Sequence, residues 1–437
     1  MTKQSPGRLR RLGVLVAVPV LGALTLSACS TAGNDSGGNS GGGSGGETKS
    51  FSFVFPTATN SESPYETLAK KYTEETGVKI EVRKLPNDSY GTTLRTQLQG
   101  GNAPDLIVVA PGRGQEHAVL PLAEANLLEP LNDGSTAVVP KGSEGLFTLD
   151  DKTYAQPTDL VPVGMVWNTG AADKAGATFP ADATGMLDLC RKLAGDGKSF
   201  IALAGSVPPN LGLMAMSISA TRVYEQTPDW NKQRADGKVT FAQSQGWQDV
   251  LKTIDDMNKA GCFQKGAAGG GFDAITQGIV RGTSLGAFVP GGAAQEIMNN
   301  AKGVTLQIQA FPAAGGAKPY LLASPNYAMS INAKADAGQK AAAQEFLNWL
   351  AKPENAAQFT KIEGQVPIAG VEGAELAPQY EPVKSLLTSG DYAPLPNLEW
   401  PNPAVYDALA KGIQGMVAGR GDAQSVLAAT DKAWDGK

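Results

Sequence analysis

The chain has 437 residues, a formal charge of −5 at neutral pH, three cysteines and a single histidine, His117. That length supports a sizeable core and about two domains. Lys and Arg form no run beyond the N-terminus, which argues against nucleic acid, whose binders need clustered cations to displace counterions. One histidine and no metal-ligand spacing argue against zinc hydrolases and histidine-based nucleophilic catalysis, and no cofactor is expected.

Lys3, Arg8, Arg10 and Arg11 precede the uncharged segment Leu12–Leu26. This run is shorter than the roughly 18–20 apolar residues that a mature membrane helix needs, and it fits the charged and apolar regions of an export signal. Leu26-Ser27-Ala28-Cys29 resembles a bacterial lipobox, in which the cysteine is diacylated and becomes the mature N-terminus. Residues 1–28 are therefore expected to be a lipoprotein signal peptide, and Cys29 the lipid anchor. Residues 29–50 lack large apolar side chains, and eight of the fourteen from Gly33 to Gly46 are glycine. Such a segment cannot bury enough surface to offset its ordering entropy and reads as a linker.

The body opens with the aromatic strand Phe51-Ser52-Phe53-Val54-Phe55. Ser63-Pro64-Tyr65-Glu66 combines a capping box with proline at the first helical position. Tyr65, Leu68, Ala69 and Tyr72 then follow at helical spacing as far as Gly77. Val78, Ile80 and Val82 alternate as a strand; Tyr90, Leu94 and Leu98 mark a helix stopped at Gly100-Gly101. Asp105–Ala110 is a continuous apolar strand of the kind covered on both faces. The unit is βαβαβ and predicts a parallel sheet. Further on, Trp247, Val250, Leu251, Ile254 and Met257 predict an amphipathic helix, as do Ala343, Phe346, Leu347 and Leu350, and Pro353 starts another. The alternation argues an α/β fold.

Two motifs read as decoys. Gly282-Thr283-Ser284-Leu285-Gly286 fits a nucleophile elbow, but His117 precedes the serine, whereas a triad histidine follows it in that fold. Gly197-Lys198-Ser199 lacks the upstream glycine of a phosphate loop. Cys190 and Cys262 pair in an oxidising exterior; Leu187, Cys190 and Ala194 on one helical face equally allow a buried thiol.

Four segments together resemble the extracytoplasmic solute-binding proteins of ABC importers, the family of maltose-binding and other sugar-binding lipoproteins. They are "GGNAPDLIVVA" (100–110), "DKTYAQPTDLVPVGMVWNTG" (151–170), "GTSLGAFVPGGAAQEI" (282–297) and "YAMSINAKADAGQKAAAQEFLNWLAKPENAAQF" (327–359). The resemblance implies a two-lobed periplasmic-binding-protein fold of the type II kind with three hinge crossings, near Thr158–Gly164, Pro319–Asn326 and Ser385–Tyr392. It places residues 51–160 plus 322–388 in the N-terminal lobe and 161–321 plus 389–437 in the C-terminal lobe. It also implies a monomer on the outer face of the cytoplasmic membrane, handing a small solute to ABC permease subunits without chemistry.

Expected ligand contacts follow from strand ends and crossings: Thr57, Thr59 and Asn60 after the first strand, and Arg113 and Gln115 after the third. Asp159 marks the first crossing, Asn210 a proline-rich loop, Asn326 and Tyr327 the second crossing, and Trp400 the far side of the last. Trp167 reads as core. Where relatives often carry a stacking Trp, this chain has Pro290-Gly291-Gly292-Ala293. That departure opens the alternative of an acidic or phosphorylated ligand held by backbone N–H groups, beside the carbohydrate the resemblance implies.

Overall fold

The computed structural model describes residues 50–57, 63–140, 142–314, 317–368, 373 and 375–436. The expected signal peptide, Cys29 and nearly all of the linker lie outside the described residues; Ser50 already belongs to the first strand.

The first sheet is built on the βαβαβ unit. Ser50–Thr57 is flanked by Lys79–Pro86 and Leu106–Val109, both parallel to it, with Phe53 opposite Val82 and Leu106. Ala328–Asn332 adds antiparallel to Leu106–Val109, and the short strands Leu128–Glu129 and Gln156–Pro157 pair with it in turn. Alternation along the first strand sorts its side chains. Phe53 and Phe55 meet Tyr65 of helix Pro64–Thr76, which in turn meets Phe359 of helix Pro353–Glu363 with ring centroids 5.1 Å apart. Full burial of each such aromatic contributes about 1.5–3 kcal/mol. Ser63 makes no side-chain cap to the first of these helices, so the expected capping box does not form. Glu66 instead pairs with Lys84 on the neighbouring strand.

The second sheet is organised around one fully buried strand, Asp159–Asn168. Ser284–Pro290, Leu306–Gln309, Leu321–Pro325 and Val366–Pro367 all run antiparallel to it. Ser199–Ala202 lies outside Ser284–Pro290, and Tyr392–Ala393 outside Leu321–Pro325. Val163, Met165 and Trp167 face one core, formed with helices Pro208–Ser219, Gln245–Lys259 and Pro403–Val417. Leu160 and Val166 face another, with Ile275, Ile279, Val366 and Tyr380. Cys190 and Cys262 form a disulfide that ties helix Ala183–Gly195 to the segment following Gln245–Lys259.

Sheet membership differs from the expected lobe limits in two places. Residues 322–325 pair in the second sheet, and the chain returns to the first only between Pro325 and Ala328. The last passage from first to second sheet falls between helix Pro353–Glu363 and strand Val366–Pro367, well before Ser385–Tyr392. Residues 366–388 therefore pack on the second sheet through Val366, Leu376, Tyr380, Val383 and Leu387. The expected crossing near Ser385–Tyr392 is instead occupied by a short helix, Lys384–Ser389, closed by a left-handed Gly390.

Candidate functional site

Four distant segments converge where the chain passes between the sheets. Asp159 opens the central strand of the second sheet and is 3% exposed. Thr158 Oγ1 donates to Asp159 Oδ1 at 3.2 Å and to the Tyr327 carbonyl at 3.4 Å, bracing the first two crossings against each other. Tyr380 donates its hydroxyl to the Gly364 carbonyl at 2.8 Å and to Gln365 Oε1 at 3.1 Å. Burial raises its pKa well above the ordinary phenol range, and the charge of Asp159 adds to the rise. Gly291, the first residue of helix Gly291–Asn300, lies so near that a Cβ there would sit 2.6 Å from the Tyr380 hydroxyl. Only glycine permits that approach.

Beside this junction is a cavity of about 680 Å³. One wall is helix Gly291–Asn300 of the second sheet, with Gln295 and Asn299. The opposite wall is helix Pro353–Glu363, with Thr360 and Lys361, followed by Gln365; Glu375 completes the polar lining. The second wall is fixed to the first sheet's helix Pro64–Thr76, for Lys71 Nζ donates to Asn355 Oδ1 at 3.0 Å and Gln358 Oε1 at 2.7 Å. Gln379 Nε2 donates to Gln295 Oε1 at 2.9 Å and so ties the amides together at the base. The volume is that of a small-molecule site, and convergent amides with one cation and one carboxylate suit hydroxyl groups, which both donate and accept. No aromatic residue lines it.

The ten expected contact residues fare differently. Asp159 and Tyr327 meet at the junction, both through Thr158 Oγ1, and Asp159 also acts on Tyr380 by its charge; neither lines the cavity. Thr57 ends the first strand half-buried, and Thr59 and Asn60 lie outside the described residues. Arg113 pairs with Glu124 at 2.6 Å and borders a smaller opening of about 230 Å³, shared with Asn231 and Lys232 of helix Trp230–Ala235. Gln115 and Asn326 are exposed.

Tyr327 is half-buried, its ring stacked 6.2 Å from that of His117. Two expectations are corrected. Asn210 is spent on the backbone, accepting from Ala204 N at 3.1 Å and donating to the Phe288 carbonyl at 2.8 Å. Trp400 is 1% exposed, packed among Phe241, Trp247, Tyr406 and Trp434, with its indole N–H on Asn231. Its place beyond the last expected crossing suggested a cleft residue; most of the aromatic cluster that receives it, Phe241, Trp247 and Trp434, comes from distant sequence.

Tyr380, Gln295, Gln365 and Gln379 escaped sequence reading. The one signal near them was the Gly291-Gly292 pair. Ser284 is buried, its Oγ 2.7 Å from Ser199 Oγ, so the elbow-like motif is a strand entry. His117 is 7% exposed, edge-on to Tyr90, and burial pulls its pKa down to about 4. Its Nε2 has no partner among the described residues. Those residues hold no cluster of metal-ligating side chains, and no helix among them is long and apolar enough to cross a membrane.

Similar architectures recur in solved structures. A family 1 extracellular solute-binding protein from Bifidobacterium longum subsp. infantis superposes with a TM-score of 0.73 at 18% identity, covering 89% of this chain and 99% of its own. A probable secreted solute-binding lipoprotein from Streptomyces coelicolor gives 0.72 at 16%, with the same coverage. Apo RafE from Streptococcus pneumoniae gives 0.71 at 18%, covering 89% and 97%. At these identities the likeness establishes the fold, the two-lobed α/β architecture of solute-binding proteins. Comparison with curated protein sequences found no match. A family model described as "Bacterial extracellular solute-binding protein" matches residues 67–381, and with that span the chain belongs to the bacterial extracellular solute-binding protein family.

Proposed function

We propose that this chain is the lipid-anchored receptor of an ABC importer, capturing a carbohydrate or carbohydrate derivative between its two lobes and delivering it to the permease. The observation that carries the reading is the amide-lined cavity of about 680 Å³, with one wall attached to each sheet. A ligand touching both walls stabilises the arrangement in which they face each other, so binding shifts an open–closed equilibrium toward the closed form. RafE, a structural neighbour, is known in complex with raffinose. In this reading the protein is a monomer, Cys29 carries the lipid, and no bond of the solute is made or broken.

Lys361 in the lining favours one second reading, a phosphorylated polyol, since a cation attracts phosphate. A polyamine finds only Glu375 in the lining. A thermal-shift panel of neutral sugars, sugar acids, glycerol phosphates and polyamines tests these readings. Binding at one hundred times Kd adds about 2.7 kcal/mol of stability. Stabilisation by neutral sugars, lost in Gln295→Ala, is the expected result. Stabilisation by phosphates alone moves the assignment to the second reading, and a panel without effect refutes both. Membrane fractionation of Cys29→Ala, expected to release the protein, tests the anchor.

A further inference from the structure

Helix Pro208–Ser219 continues into a π-helical turn, Ala220–Tyr224, a geometry enriched at functional sites. That turn carries Arg222, which is 6% exposed. Its guanidinium donates to Thr221 Oγ1 at 2.8 Å and to the Pro312 carbonyl at 3.4 Å, both neutral acceptors. Among the described residues it has no ion pair. Asp249 acts on it only through space, and that carboxylate accepts from Gln245 Nε2 at 3.0 Å. A buried cation without a direct counter-charge is costly, because desolvation is not offset by a partner.

Arg222 lines a cavity of about 420 Å³ that shares no lining residue with the amide-rich cleft. Lys238 lines it too, its ammonium 3.0 Å from Asp236, which also takes Lys232. Amides of Gln226, Gln233, Gln243 and Gln245 provide much of the remaining polar wall, and the lining contains no Asp or Glu. Lys238 is thus compensated by Asp236, and Arg222 is the lining cation without an ion pair among the described residues. Helix Gln245–Lys259 starts at the same wall, and its N-cap residue Ser244 makes no side-chain cap. The Ser244 hydroxyl instead accepts from Trp230 Nε1 at 3.2 Å. The positive end of a 15-residue helix is thereby left uncapped at the cavity.

We propose that this cavity is a second ligand site, binding a small oxyanion (a phosphate, sulfate or carboxylate group) between Arg222, Lys238 and the start of helix Gln245–Lys259. The glutamine amides hold whatever neutral groups the anion carries, and the site is independent of the solute cleft. Isothermal titration of the full chain with inorganic phosphate, sulfate and acetate, in a zwitterionic buffer of low ionic strength, tests it and separates the oxyanion classes. Saturable one-to-one binding of at least one is expected. Arg222→Gln should weaken it at least about tenfold, the loss of a charge-assisted hydrogen bond. Lys238→Gln should weaken it less, and both variants should keep wild-type solute binding in the cleft. No saturable heat with any of the three anions, or a folded Arg222→Gln with unchanged affinity, overturns the proposal. If circular dichroism shows Arg222→Gln unfolded, wild-type crystals soaked in selenate decide. Anomalous density within hydrogen-bond reach of Arg222 supports the site, and its absence refutes it.

Discussion

Acidification should destabilise this protein through its one histidine. His117 is sealed beneath Tyr327 and against Tyr90, and burial lowers its pKa from 6.5 to about 4, with the charge of Glu116 opposing the shift. Above pH 6.5 the imidazole is neutral both folded and unfolded, and its contribution to stability is fully present. As the pH falls from 6.5 toward 4, the unfolded chain takes up the proton first, so stability declines; below about 4 the folded form is protonated too and the contribution is gone. At 1.36 kcal/mol per unit, the displacement corresponds to about 3 kcal/mol.

Because the chain has only one histidine, its Cε1–H resonance reports this titration without overlap. Urea denaturation of wild type and His117→Gln at pH 7 and pH 4 then isolates the imidazole from carboxylates that titrate in both proteins. The wild type should lose about 3 kcal/mol more than the variant. A titration midpoint near 6.5, or equal losses in the two proteins, would refute the reasoning.

Replacing both Cys190 and Cys262 by Ala removes a cross-link spanning 72 residues, for which the chain-entropy model gives about 4 kcal/mol; urea midpoints that do not move would count against it. Gly164→Ala places a Cβ 2.4 Å from the Gln309 carbonyl between two paired strands, an overpacking worth about 1–3 kcal/mol, and a variant of unchanged melting temperature would contradict that approach. Tyr380→Phe leaves the Gly364 carbonyl with only the longer 3.5 Å bond from Gln379 Nε2, costs about 1 kcal/mol of stability and weakens solute binding. Trp400→Ala should do the reverse, losing about 3–5 kcal/mol of stability while the folded fraction binds with wild-type affinity; a loss of affinity there would restore Trp400 to the site.

Local order was legible wherever local physics sets it. Phe51, Phe53 and Phe55 announce a strand by alternation, Pro64 starts a helix by its fixed φ and Gly77 ends it by its freedom to turn left-handed, and the apolar run Leu106–Val109 marks a central strand. The motif order carried the family, because those segments form the strands and crossings of both sheets. The site was mostly illegible. Asp159 was singled out for its place at a crossing, and it does open the strand at that crossing. Tyr380 and Gln365 were missed because their segment reads as an ordinary connection until Val366 pairs with Leu160.

Composition and periodicity by themselves determined an α/β body, since that depends on residue types and short-range spacing. Only the tertiary structure decided which polar side chains face a cavity and which are consumed by the backbone. Asn210 and Gln295 are both amides on helices, yet one bridges two buried backbone groups and the other lines open space. The difference is the desolvation demand of whatever distant chain arrives beside them, a quantity no local stretch of sequence contains.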